Sequence, residues 1–534
     1  MKKYIIIMAV LAASVSCTKN FVEKNTNQEN ATEEMMTWDG LSTGSAFSQM
    51  TRNMIPSYQI IGDEEYGSAN YQVIQDLAGN LFAGYTGNVQ TGFNANNVYN
   101  ITAREWYEAM FNDAYTRVIG SWEELDAARE EFPEAAAMGD IVKVAVMHRV
   151  TDTYGPIPYL QIGSGAVTME YDSQETVYRR FFEELSSAID VLTAFWQAQP
   201  GTKVLEAYDN VYYGEVVKWI RFANTLRMRL AMRVFYADED LAMSQADECL
   251  GHPVGMMASA ADIAMLHKPA AGAWENPLYQ IQYVFDDARI GATIETYMNG
   301  YNDPRRAKYF TAGSDGGYHG VRNGININAN YAASGLLSRI NCTVNDDLMW
   351  MNPAEAWFLQ AEYWIRKGDN SQAKNCYEEG IRVSFATANV SNAESYIADS
   401  ENTPGTFADV VNGSNSYNTK LSDVTVAWNA SDSFEKKLER IITQKYIALY
   451  PEGQEAWSEF RRTGYPKVIP YSVNSSNGAI DTQRQIRRLN YPSTEYRTNQ
   501  ANVNAAVSVL NRESSLGNGD NGGSRLWCDK NTRF

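Results

Sequence analysis

Residues 353–385 read PAEAWFLQAEYWIRKGDNSQAKNCYEEGIRVSF, and this stretch decides the fold. Apolar residues recur at three- and four-residue steps, which is the spacing of one face of a helix. The pattern predicts one helix over Pro353 to Arg366 and a second over Ser371 to Phe385. Trp357, Ala361 and Trp364 fall on the first, and Ala373 and Tyr377 on the second. The small residues Ala361 and Ala373 let the two helices approach, and the large ones fill the space between them.

The register matches the tetratricopeptide signature W-x2-L-G-x2-Y followed by A-x3-F. The matching residues are Trp357, Gln360, Ala361, Trp364, Ala373 and Tyr377, with Gln360 standing in place of Leu. Similar helix pairs lie outward from it. Arg104 to Phe132 carries Trp106, Tyr107, Met110, Phe111, Ala114, Val118 and Trp122 at helical spacing. Pro133 ends that pattern and can open the partner helix, Pro133 to Val150, at its first turn. Gln174 to Trp196 and Tyr213 to Phe235 form another set, with a Trp219 to Leu226 core stripe. Phe434 to Tyr450 and Glu455 to Arg462 form the last. There, Arg461 and Arg462 are placed to stabilise the helix C-terminus, and Gly464 and Pro466 to cap and block it. The expected fold is mainly α. About four helix pairs, near 104–150, 174–235, 353–385 and 434–462, form a tetratricopeptide-like helical-repeat scaffold. Segments near 57–100, 251–352 and 386–432 are rich in Gly, Asn, Ser, Tyr and Trp and form a loop-rich insertion layer. Such long irregular insertions point to function. The whole body spans 35–534 as one unit.

The amino terminus is a different kind of sequence. Lys2 and Lys3 precede an apolar run, Tyr4 to Val15, about half the roughly 20 residues that a membrane span needs. Ser16 and Cys17 follow. This predicts a lipoprotein signal peptide over 1–16, lipidation at Cys17, and a polar tether over 17–34.

The net charge of −19 argues against a nucleic-acid partner. Cys249, Cys342, Cys376 and Cys528 are widely spaced, without C-x-x-C, and no disulfide framework is expected. Catalytic signals are weak. Gly40-Leu41-Ser42-Thr43-Gly44 matches G-x-S-x-G without the strand that a nucleophile elbow needs. Gly517, Gly519 and Gly522 match G-x-G-x-x-G without a βαβ unit. Asp286–Asp287 and Asp346–Asp347 are adjacent acidic pairs, whose side chains usually diverge. No enzyme, cofactor or metal site is expected.

Five segments, taken together, resemble one family. They are Cys17-Thr18-Lys19-Asn20-Phe21; Asp152-Thr153-Tyr154-Gly155-Pro156-Ile157-Pro158-Tyr159; Lys218 to Arg229, KWIRFANTLRMR; Glu355 to Glu362, EAWFLQAE; and Glu455 to Pro466, EAWSEFRRTGYP. In this order they resemble the SusD/RagB nutrient-binding outer-membrane lipoproteins of the Bacteroidota. The resemblance implies a cell-surface protein held in the outer membrane by its lipid. It implies a SusC-like TonB-dependent transporter as partner, and oligosaccharide or oligopeptide as ligand. A tetratricopeptide-type adaptor of the transporter, without a ligand, is the alternative.

A sugar binder needs flat aromatic faces together with hydrogen-bonding side chains. Two insertions supply such sets. Tyr71, Gln75, Asn80, Tyr85 and Phe93 lie in one, and Trp274, Asn276, Tyr279, Tyr283 and Arg289 in the other.

Overall fold

The computed structural model describes residues 41–55, 70–269, 274–513, 519–531 and 533. The signal peptide, Cys17 and the tether lie outside them. The longer helices are α1 (Leu41–Asn53), α2 (Pro133–Tyr154), α3 (Gln174–Ala198), α4 (Val216–Val234), α5 (Glu239–Gly251), α6 (Ala354–Arg366), α7 (Asn370–Thr387), α8 (Phe434–Leu449), α9 (Gly453–Thr463) and α10 (Gln500–Glu513). The fold is mainly α, as the periodicity predicts. Local chemistry sets the ends. Side chains of Ser173, Asp369 and Ser433 accept from the first free backbone N–H groups of α3, α7 and α8. Pro133 opens α2, and Gly464, at φ 81°, closes α9.

The pairing runs one helix later than the sequence pattern suggests. α3 packs chiefly on α2, and α4 chiefly on α5. The 104–132 stretch is not one helix. It runs through a short 3-10 segment, Glu105–Glu108, a helical turn, Ala109–Asp113, a π-helical stretch, Ala114–Ile119, and a last helix, Gly120–Ala127. The α6–α7 hairpin is as expected at its crossing, where Ala361, Ala373 and Tyr377 are fully buried. Its tryptophans differ. Trp357 and Trp364 are only half-buried, and Phe358 fills the interior instead. The Trp219, Phe222 and Leu226 stripe is core.

Among the described residues, strands are few. β1 (Thr86–Asn88) pairs antiparallel with β3 (Ala288–Ile290), and β2 (Ala264–Leu266) with β4 (Leu348–Met351). Ser42 lies inside α1, so the G-x-S-x-G match is no elbow. Gly519 sits in a bend and Gly522 in a turn, and Gly517 lies outside the described residues. Cys249, Cys342, Cys376 and Cys528 are free thiols.

A buried layer of charge runs through the scaffold. Arg229 of α4 makes a bidentate pair with Glu355 of α6, at 2.8 and 2.5 Å. Arg233 bridges Asp152 of α2 and Glu455 of α9. Lys445 of α8 lies 3.3–3.4 Å from Glu355, Glu455 and Glu459. Arg462 clamps Glu362 at 2.6 and 2.7 Å and also reaches Glu459. Burial pushes the carboxyl of Glu455 up, but Arg233, Arg229 and Lys445 more than offset that and hold it below its usual range. Arg461 and Arg462 stand in the last turn of α9, as expected, and both are buried in this layer. Arg461 stacks 3.7 Å from the Trp457 ring and donates to the Arg487 carbonyl at 2.7 Å.

Candidate ligand-binding face

The strand pair β1–β3 brings the two insertions together, with Gly87 opposite Arg289. Neighbouring side chains tighten the join. Gln72 donates to the Asp287 carboxylate at 2.8 Å, and Gln90 donates to the Asp286 carbonyl at 3.0 Å. Asp286 takes a left-handed backbone conformation, φ 59°, which turns its carboxylate toward Arg289 at 2.7 Å and Arg339 at 2.5 Å. The side chains of Asp286 and Asp287 therefore diverge, as adjacent residues do. Two π-helical stretches, Gln72–Asn80 and Gln280–Val284, carry residues into this region. Such stretches are rare and recur at functional sites.

The rings on this face come from both insertions. Tyr279 and Tyr283 stack with centroids 4.9 Å apart, and the Tyr283 hydroxyl donates to the Ile340 carbonyl at 2.6 Å. The Arg339 guanidinium sits 5.5 Å from the Tyr283 ring, and Val284 beside it is exposed. Phe93 lies 5.6 Å from Trp106, and Arg104 covers that indole at 4.4 Å. Phe93, Trp106, Tyr279 and Tyr283 are each half-buried, so each keeps some ring surface open.

The remaining sequence candidates are interior groups. Tyr85 is fully buried, packed 4.6 Å from Tyr446 and 5.1 Å from Tyr450, with its hydroxyl donating to the Tyr446 carbonyl. Asn80 accepts from the Gly453 N–H at 3.0 Å, at the start of α9. Gln75 joins Glu452, at 3.1 Å, and Arg149 in the same buried join. The backbones there meet so closely that a Cβ on Gly79 would lie 2.6 Å from the Gln454 nitrogen. Tyr71 is buried beside them. Asn276 caps the turn at Leu278, Trp274 is 8% exposed with its indole N–H on the Asp346 carbonyl, and Arg289 is buried under Asp286. These residues build the support of the face and not its surface. Trp106 and Arg104 are the converse. Sequence reading assigned Trp106 to a helical core stripe, and only the break in that helix turns it toward Phe93.

Carboxyls below the face have shifted acidity. Burial raises Asp287, partly opposed by the hydrogen bond from Gln72. Burial lifts Asp76 from 3.8 to about 7, against hydrogen bonds from Asn80 and Thr86 and with Asp287 adding to the rise. Among the described residues, no three His, Cys, Asp or Glu side chains gather as a metal site. Asp346 instead accepts from Thr343 in a turn, and Asp347 accepts from His267 and Lys268.

A family model for SusD-like proteins, described as SusD and RagB outer membrane lipoproteins, matches residues 23–529. The chain belongs to the SusD-like family. Solved SusD-like relatives agree over nearly the whole length. A chitin-binding SusD homologue from Flavobacterium johnsoniae is 35% identical, with a TM-score of 0.82, covering 92% of this chain and 99% of its own. A SusD homologue from Bacteroides uniformis is 36% identical, with a TM-score of 0.83, covering 91% and 99%. One from Bacteroides vulgatus is 30% identical, with a TM-score of 0.85, covering 93% and 99%. No curated protein sequence matches this SusD-like chain significantly. Among its described residues, no helix is long and apolar enough to cross a membrane.

Proposed function

We propose that this SusD-like protein is a lipid-anchored binder of the outer-membrane surface, not an enzyme, that captures oligosaccharides. It passes them to a SusC-like TonB-dependent transporter. The observation that carries the reading is the join of the two insertions. It ties Gln72 to Asp287 and Gln90 to Asp286, with Arg339 pairing Asp286 and lying beside the Tyr283 ring of the stacked Tyr279–Tyr283 pair, while the Phe93–Trp106 pair follows Gln90 along the chain. Half-open aromatic rings suit the C–H faces of sugars, and the carboxylates, amide and guanidinium suit their hydroxyls. A relative of 35% identity is chitin-binding, which makes β-linked amino-sugar oligomers the first ligands to try. Support for the anchor comes from the Lys2–Cys17 sequence. Capture by a few rings implies a Kd on the order of micromolar to millimolar.

Calorimetry of the detergent-solubilised full chain against chito-oligosaccharides, other neutral oligosaccharides and oligopeptides tests the reading. An oligosaccharide is expected to bind, and Tyr279→Ala/Tyr283→Ala to weaken it about ten-fold while circular dichroism stays unchanged. Equal binding by the folded double variant removes the site. Binding of peptides alone removes the glycan assignment, and binding of neither ligand class leaves the adaptor role.

A further inference from the structure

A second concave site lies away from the joined insertions, between the C-terminal end of α9 and the loops at 417–421 and 465–470. It is a pocket of ≈ 450 Å³, within the range that holds small ligands. Its floor is apolar, made by Phe460, Leu421 and Val468, each less than a tenth exposed. Tyr417 and Tyr465 form half-buried walls.

The walls are held before any ligand arrives. Arg322, 8% exposed, donates to the carbonyls of Asn415 at 3.0 Å and Ser416 at 3.2 Å on one side. It donates to the Pro470 carbonyl at 2.8 Å on the other. Its guanidinium lies 5.4 Å from the Tyr417 ring and backs one face of it. The Tyr297 hydroxyl pins the Lys467 carbonyl at 2.8 Å. Such fixed walls lower the ordering cost of binding.

The charge of the lining is opposite to that of the chain. In a protein of net charge −19, the lining carries Lys420, Lys467 and Arg533 against one carboxylate, Glu435. Arg533 already pairs with Glu435, which also accepts from the Tyr465 hydroxyl at 3.3 Å. Lys420 donates to the Thr403 hydroxyl at 3.2 Å. Among the described residues, neither Lys420 nor Lys467 has a carboxylate within ion-pair distance, and both are exposed. Two unneutralised ammonium groups at the mouth of a pocket with tyrosine walls select a ring that carries an anion. We propose that this pocket binds an acidic saccharide, with the face of a uronic acid ring on Tyr465 and Tyr417 and its carboxylate on Lys420 and Lys467. It is distinct in place and ligand charge from the face at Tyr279 and Tyr283.

The test is calorimetry of the detergent-solubilised full chain with trigalacturonate and an oligoglucuronate, and with the methyl ester of each. At least one acid is expected to bind saturably, with its ester about ten-fold weaker. Lys420→Ala/Lys467→Ala should weaken the acid about ten-fold with unchanged thermal unfolding, and added salt should weaken it in the wild type. Tyr279→Ala/Tyr283→Ala should leave it unchanged, which separates this pocket from the face described above. The assignment is overturned if acid and ester bind equally, if the lysine variant binds as wild type does, or if no acid saturates by about 10 mM.

Discussion

Asp76 shows how a single buried carboxyl couples this protein to pH. Its Oδ2 has no hydrogen-bond partner among the described residues, and burial has lifted its pKa from 3.8 to about 7. The folded state therefore holds a proton there that the unfolded chain releases near pH 3.8. The stability from this group is fully present below that pH and is lost as pH rises through about 7. Asp76→Asn keeps the oxygen that meets Asn80 and removes the ionisation. The variant should gain on wild type as pH rises, by at most about 1.4 kcal/mol per pH unit, and level off above about pH 7. Urea unfolding of both proteins at pH 5, 7 and 8.5 measures this, and a constant difference would show that Asp76 stays ionised. The same environment explains why residues of the first insertion were hard to read from sequence. Asn80, Gln75 and Tyr85 are residue types that serve ligands or buried joins equally well. Their partners Gly453, Glu452 and Tyr446 lie more than 350 positions away, so local sequence carries no sign of the burial. Tyr279, Tyr283 and Phe93 keep ring surface open, and their part in ligand binding belongs to the proposal above.

At the level of elements, helices announce themselves where apolar contrast is strong and caps are present. α3 has Ser173 at its cap and a buried stripe of Val177, Phe181, Leu185 and Leu192, and its start is legible to the residue. α5 escaped because its buried face is made of Ala242, Ala246 and Cys249, too small to stand out as a stripe. Its absence from the sequence reading shifted the pairing, since α4 then had no following partner. The π-helical stretch at Ala114–Ile119 likewise breaks a pattern that looks continuous on paper, because one added residue per turn rotates the stripe. The α6–α7 crossing gives the sharpest test of register. Ala373 is fully buried against α6, so Ala373→Trp must displace neighbours on both helices. Overpacking of this kind costs roughly 1–3 kcal/mol, and more where backbones cannot separate. Chemical denaturation should show that loss with far-UV circular dichroism unchanged at low denaturant. Wild-type stability in the variant would mean that Ala373 faces water.

For the whole molecule, the buried charge layer is what ties α2, α4, α6, α8 and α9 into one body. The sequence displays the residues, in Arg229, Arg233, Glu355, Glu455 and Arg462, but not their role. A basic or acidic residue on an amphipathic helix reads as solvated unless its partner is known, and the acidic partners of Arg229 and Arg233 lie 81 to 226 residues away. Burying such charges is expensive, and the layer holds only because each group has a partner of opposite sign. Removing one charge should therefore cost more than any single contact it makes. Glu455→Gln preserves shape but leaves Arg233, Arg229 and Lys445 one negative charge short. Breaking a buried pair in this way costs about 3–5 kcal/mol. The sign with pH follows from the lowered acidity of Glu455. Its stabilisation is present above its ordinary value of 4.5, and it is lost as pH falls from there toward about 2, the value to which the folded carboxylate is held. The gap between wild type and Glu455→Gln should be full at pH 7 and should narrow below about pH 4.5, by at most about 1.4 kcal/mol per pH unit, because the unfolded chain then takes up a proton at Glu455 that the folded carboxylate refuses until about pH 2. Denaturant unfolding at pH 7, 4 and 3 provides the comparison. A gap that stays constant to pH 3 would place the stabilisation in packing around Glu455, and a negligible gap at pH 7 would mean that Glu355 and Glu459 neutralise the layer without it.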